Sequence, residues 1–108
     1  MNKVVIIDDE PLARSIVVEY LQQHSSIEIA AECNDGFQGV KAIMQHKPDL
    51  IFLDIQMPDG TGFDLLEQVQ DKKFEIIFTT ATDKHALKAI KYSACDYLLK
   101  PLLPVLFL

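Results

Sequence analysis

What the chain lacks narrows the reading first. It has no basic cluster, and Asp plus Glu outnumber Lys plus Arg by 16 to 10, for a net charge of −6. That balance leaves no electrostatic footprint for nucleic acid. No apolar run approaches the ~20 residues that a membrane span needs. The strand pattern begins by Lys3, so no signal or transit segment is expected, and the expected location is cytoplasmic. Cysteine is scarce: Cys33 and Cys95 lack metal-ligand spacing and read as reduced thiols. Repeats, linkers and low-complexity stretches are absent. What remains is a chain of 108 residues, 49% hydrophobic and 24% charged, enough for one domain with a filled core.

Within it, short apolar runs alternate with helical patterns. Lys3 to Ile7 is β-branched and reads as a buried strand ending at Asp8-Asp9-Glu10-Pro11. Asp9 suits an N-cap, and Pro11 suits a first helical turn, where its missing N–H costs nothing. Leu12, Ile16, Val17, Tyr20 and Leu21 then recur at helical spacing. Ile27 to Cys33 alternates loosely, as an edge strand does. Asn34-Asp35-Gly36 is a turn and cap, and Phe37, Val40, Ile43 and Met44 mark a second helix. Leu50 to Leu53 is a strand buried on both faces, ending at Asp54 and followed by Pro58, Gly60 and Gly62. Phe63, Leu66 and Val69 mark a third helix, and Glu75 to Thr79 a fourth strand. Asp83 is placed to cap a fourth helix carrying Leu87 and Ile90. Asp96 to Leu99 is a fifth strand, running into Lys100-Pro101.

Strict alternation of strand and helix predicts an α/β fold, a doubly wound five-stranded parallel sheet in the order 2-1-3-4-5. That order places Cys33 and Cys95 on opposite sheet edges, beyond disulfide reach. Ligand sites in such sheets lie outside the carboxyl ends of the strands, where strand order reverses. Strand one delivers Asp8 and Asp9 there, strand three Asp54, strand four Thr79 or Thr80, and strand five Lys100. Two carboxylates ~5 Å apart repel by on the order of 3 kcal/mol at an effective dielectric near 20. A hard dication held by oxygen donors relieves that repulsion, and an open, hydrated cluster suits Mg²⁺. With Mg²⁺, an ammonium and a hydroxyl, the edge can hold a phosphoryl group, and Asp54 is the candidate nucleophile. Taken singly, each residue has a plainer role: cap, strand threonine or surface lysine. His24, His46 and His85 read as surface histidines without a role. The site rests on convergence at one edge.

These residues resemble the receiver domains of two-component response regulators, a flavodoxin-like fold. The resemblance spans Lys3 to Pro101. It is carried by the Asp8-Asp9 pair, by Asp54-Ile55-Gln56-Met57-Pro58 with Gly62 eight residues after Asp54, by Thr80-Ala81, and by Tyr97 before Lys100-Pro101. Asp9-Glu10-Pro11-Leu12-Ala13-Arg14 and Cys95 to Pro101 are most similar to the branch with a LytTR-type DNA-binding output. The resemblance implies that Asp54 accepts a phosphoryl group from a sensor histidine kinase. It implies that Asp9, Asp54 and the Gln56 backbone carbonyl bind Mg²⁺, with Asp8 holding a metal-bound water. Thr80 and Lys100 would contact the phosphoryl oxygens, Tyr97 would turn inward as Thr80 moves, and Lys100-Pro101 would be cis. Such a domain is not an enzyme beyond its own phosphotransfer and autodephosphorylation.

The pattern departs from that family after Pro101. A receiver domain over 1–101 is followed over 102–108 by an apolar tail, Leu102-Leu103-Pro104-Val105-Leu106-Phe107-Leu108, in place of a fifth helix. The expectation is that this tail lies back over the face shared with helix one, or that a homodimer covers it. The DNA-binding output is expected to be absent from this stretch. Three other functions compete. A phosphorylation-incompetent scaffold or dimerisation module is one. A Mg-dependent small phosphatase of the haloacid dehalogenase type is another, but it needs Asp-x-Asp where this chain has an adjacent pair. A flavodoxin-like FMN module is the third, and its phosphate would be repelled by Asp8-Asp9-Glu10.

Overall fold

The computed structural model describes residues 2–102. Five parallel strands form one sheet: β1 (Asn2–Ile7), β2 (Ile27–Cys33), β3 (Leu50–Asp54), β4 (Glu75–Thr80) and β5 (Asp96–Leu99). Their spatial order is β2-β1-β3-β4-β5, as the alternation predicts. β1 and β3 are central and read as unbroken apolar runs because both of their faces are covered. The register sets Val5 beside Ile51, Ile51 beside Ile76, and Asp54 beside Thr79.

Helices cover the two faces unequally. Helix α1 (Pro11–Leu21) lies on one face and buries Ala13, Val17 and Leu21, one row at i, i+4 and i+8. That row clusters with Val4, Ile6, Phe52 and Leu102. The other face carries α2 (Gly36–His46), α3 (Gly62–Gln68) and α4 (Ala86–Lys91), whose buried residues join Val5, Ile7, Ile51, Leu53 and Phe78. Leu102 thus packs on the α1 side. The expectation for the rest of the apolar tail falls on 103–108, outside the described residues.

Several local expectations are corrected. Asp9 does not cap α1: Glu10 is the cap residue, and it makes no side-chain cap bond. The N–H of Glu10 instead donates to the Asp8 carboxylate at 2.9 Å, because the chain here is turned over the site. Nor does Asp83 cap the fourth helix by its side chain. α4 starts at Ala86, and the Asp83 backbone carbonyl accepts from the Ala86 N–H at 3.1 Å. Cys95 lies just before β5 and is exposed, while Cys33 ends β2 and is buried; both are free thiols. His85 is not a plain surface residue. Its ring packs on Phe63 with centroids 6.0 Å apart, and its Nε2 is buried. Leu12, Phe37, Met44, Leu87 and Ile90 sit at helical spacing but are 66% or more exposed.

Two features that the sequence reading omits shape the loop after β3. Gln56–Met57 pairs with Gly60–Thr61 as a short antiparallel ribbon. α3 then opens on a capping box: Thr61 accepts from the Asp64 N–H, and Asp64 accepts from the Thr61 N–H.

Candidate functional site

Parallel strands bring their carboxyl ends to one edge, and the predicted site residues meet there. Asp8 follows β1 directly and is buried; its N–H donates to the Cys33 carbonyl at 2.9 Å, which ties it to the end of β2. Asp54 closes β3 and is also buried, with one carboxylate oxygen accepting from the Gln56 N–H at 3.3 Å. Lys100 reaches in from the end of β5. Its Nζ donates to Asp8 at 3.0 Å, to Asp54 at 3.2 Å, and to the Glu10 carboxylate. The Lys100 N–H donates to the Thr80 carbonyl at 2.7 Å, so the ladder itself aims this side chain. The Lys100–Pro101 peptide is cis.

Glu10 is the residue that sequence reasoning missed. One oxygen each from Asp8, Glu10 and Asp54 lies within 4.8 Å of the others, a set able to hold a metal ion. The signal was present in the run Asp8-Asp9-Glu10, but helical phase alone does not say that the residue before Pro11 turns back over the sheet edge. Asp9 is half-buried and lies outside that trio; its carboxylate can accept a hydrogen bond from Asp54 when Asp54 holds a proton. The sequence places Thr79 and Thr80 alike at the strand end, and it is Thr79 that donates to the Asp8 carboxylate, at 3.2 Å. The Thr80 hydroxyl accepts from the Thr82 N–H at 3.4 Å. Tyr97 donates from its phenol to the Thr82 carbonyl at 2.7 Å. Thr80 and Tyr97 therefore meet through the backbone of Thr82. Arg14 braces the edge from α1, donating to the Asp8 carbonyl at 2.6 Å.

The charges do not balance. Asp8, Glu10 and Asp54 share the Lys100 ammonium, with Asp9 beside them. Burial, then the negative charge of Asp8 and the Asp9 hydrogen bond, push the Asp54 carboxyl from 3.8 up to about 7, against the pull of Lys100. Burial of Lys100 opposes its charge, but Glu10 and Asp8 outweigh it, and its ammonium is held more firmly than usual. These shifts describe one imbalance: the Lys100 ammonium meets three carboxylates, and the enclosed Asp54 is the one whose charge is disfavoured. A second, harder cation is what such an oxygen-only donor set fits, and the carboxylate cluster is typical of a Mg²⁺ site.

The Gly62 spacing also has a cause at this edge. A Cβ there would stand 2.7 Å from the Asp54 backbone carbonyl. Only glycine lets the start of α3 pass that close to the strand end.

Comparison with known proteins agrees with this geometry. The model of the response regulator receiver domain family matches residues 4–106. The transcriptional regulatory protein BtsR of Escherichia coli strain K12 is 45% identical over 103 residues, 94% of this chain and 43% of that protein. The sensory transduction protein LytT of Enterococcus faecalis is 43% identical over 100 residues, 91% of this chain and 41% of that protein. The chain thus spans less than half the length of these curated relatives. The crystal structure of the response regulatory domain of protein mrkE from Klebsiella pneumoniae matches with a TM-score of 0.85 and 36% identity, covering 95% of this chain and 86% of that one. Neither the phosphatase nor the FMN module accounts for a match of this extent. With an acidic pocket at the switch point, an aspartate at its centre and a lysine across it, the chain belongs to the family of response regulator receiver domains.

Proposed function

We propose that this domain is a phospho-accepting switch in which Asp54 takes a phosphoryl group from a sensor histidine kinase. One observation carries the reading: the Lys100 ammonium bridges Asp8 and Asp54 at 3.0 and 3.2 Å. It is in place to neutralise oxygens of a group bonded to Asp54. Asp54 attacks phosphorus through a carboxylate oxygen, the bond to the donor nitrogen breaks, and the donor histidine leaves with the electron pair and a proton. Asp9, Asp54 and the Gln56 carbonyl would hold Mg²⁺, with Asp8 acting through water. When bound, the ion supplies charge neutralisation at the reacting oxygens.

Phosphorylation replaces a carboxylate with a group of charge near −2 and strong acceptor oxygens. Thr80 would turn toward them and give up the Thr82 N–H. Tyr97, which holds the Thr82 carbonyl, then repacks, altering the surface of α4 and β5. The LytTR-type branch is supported by the Asp9-to-Arg14 and Cys95-to-Pro101 stretches and by the relative named LytT. A DNA-binding output would lie outside this chain. A second copy of the domain is the partner we assign to the exposed apolar residues of α4 and β5.

Incubation with acetyl phosphate and Mg²⁺, followed by intact mass, tests the reading. The expected result is one phosphoryl adduct per chain, dependent on Mg²⁺ and absent from Asp54→Asn. No adduct in the parent protein, with the fold intact by circular dichroism, would instead favour the phosphorylation-incompetent scaffold.

A further inference from the structure

The loop between Asp54 and α3 is fixed at its base but needs a hold at its tip. At the base, Ile55 N–H donates to the Thr79 carbonyl at 3.2 Å, and Gly62 N–H to the Ile55 carbonyl at 2.7 Å. The ribbon Gln56–Met57 with Gly60–Thr61 rises from there, and Gly60 turns it at φ +141°. Two-residue strands make a weak ribbon by themselves. At the turn, Asp59 reaches across to another element. Its two carboxylate oxygens accept from the Gly36 and Phe37 N–H groups, each at 2.9 Å.

Those N–H groups open α2, an 11-residue helix that already has a local cap: Asp35 accepts from the Gln38 N–H at 2.8 Å. The helix start thus receives two carboxylates, one adjacent in sequence and one from the loop that follows Asp54. Both suit its unpaired donors and partial positive charge. Gly36 leaves room for the approach, since a Cβ there would stand 3.2 Å from the nearer Asp59 oxygen and crowd it. The two amides also hold the Asp59 carboxyl below its ordinary range, so it stays ionised.

We propose that Asp59 is a positioning residue for the metal site: by pinning the ribbon tip to the start of α2, it sets where the Gln56 carbonyl stands. The inference rests on the reading in which that carbonyl is a Mg²⁺ ligand. Asp59 itself touches neither the ion nor the phosphoryl group. Loss of the pin leaves Asp54 and Lys100 where they are and frees the ribbon between Gln56 and Gly60. Coupling of this kind is reciprocal: if the pin favours the ion, the ion favours the pin.

The experiment uses Mg²⁺ alone as probe, in the full chain. Mg²⁺ affinity is read from NMR shifts of the 54–62 amides, and amide exchange is followed at Gly36 and Phe37. Asp59→Ala is expected to weaken Mg²⁺ binding by about tenfold, the usual scale for residues that orient a ligand. In the parent, Mg²⁺ should slow exchange at Gly36 and Phe37; in Asp59→Ala it should not. With acetyl phosphate, the half-saturating Mg²⁺ concentration should rise more than the saturated rate falls, which a merely weakened fold would not produce. Asp59→Asn, retaining one acceptor oxygen, should fall between. If Asp59→Ala compromises folding, Gly36→Ala, which crowds the carboxylate, should weaken Mg²⁺ in the same direction. A parent that binds Mg²⁺ and variants that bind it equally well would overturn the proposal alone. A parent that binds no Mg²⁺ would overturn the site reading and the proposal with it.

Discussion

At the scale of single residues, the site is a compromise between stability and charge. Asp54 is buried beside Asp8, and its carboxyl is pushed from 3.8 up to about 7. Between those values the folded protein keeps a proton that the unfolded chain has released. Stability without added metal therefore falls as pH rises from about 4 to about 7, and the loss persists above. The displacement corresponds to at most about 4 kcal/mol, and an uncharged amide recovers part of it. Asp54→Asn should thus be more stable than the parent by about 2 kcal/mol at pH 8. At pH 4 the two should nearly coincide. Urea denaturation in a chelating buffer checks this, and equal midpoints at pH 8 would refute the account of Asp54. Thr79 gives a second test. Its hydroxyl is buried on Asp8, so Thr79→Val leaves that carboxylate one donor short, costing about 1–2 kcal/mol by the same denaturation measurement.

At the scale of elements, the ends decide more than the middles. α3 has seven residues, too short to hold itself, and depends on its capping box and on Gly62. Gly62→Ala would drive a methyl group to 2.7 Å from the Asp54 carbonyl, against backbone that cannot swing aside. The expected cost is about 2–3 kcal/mol, within the usual range for overpacking, together with slower phosphorylation because the strand end must shift. Thermal unfolding and acetyl phosphate kinetics on one preparation would check both. A variant with unchanged melting and rate would mean that α3 can slide away from β3. The ends are also where reading from sequence was least secure. Pro11 locates the start of α1, but helical phase does not tell which acid of Asp8-Asp9-Glu10 is the cap residue and faces Lys100; it is Glu10. Asp83 is a good cap by type, yet the chain makes a turn over Asp83 to His85 before α4 begins at Ala86.

At the scale of the molecule, the sheet order and the convergence of Asp8, Asp54 and Lys100 were legible because they follow from one regularity. Parallel strands put all their carboxyl ends on one side, whatever the helices do. The inward residues of α3 were legible too, since Phe63, Leu66 and Val69 are all buried, but those of α4 were not. Leu87 and Ile90 fit the helical period as well as buried Ala89 does, yet they are 81% and 70% exposed. Leu99, on the edge strand β5, is 51% exposed. Among the described residues nothing covers these side chains, and a second copy is the partner proposed for them. The surrounding charges suit a surface that meets itself: α4 carries Lys91 and is preceded by Asp83 and Lys84, while β5 opens on Asp96, so both signs are present. Lys88 is diverted, its ammonium lying 4.6 Å over the Phe63 ring. Self-association should therefore rise with concentration and lead to a dimer by light scattering. Leu87→Glu with Ile90→Glu should abolish it while shifting the urea midpoint little, since neither side chain is buried in the monomer. Phosphorylation of Asp54 should change the dimerisation constant, because Tyr97 lies on the same strand as Leu99. A parent that stays monomeric at millimolar concentration, with and without the phosphoryl group, would assign that apolar surface to a different partner.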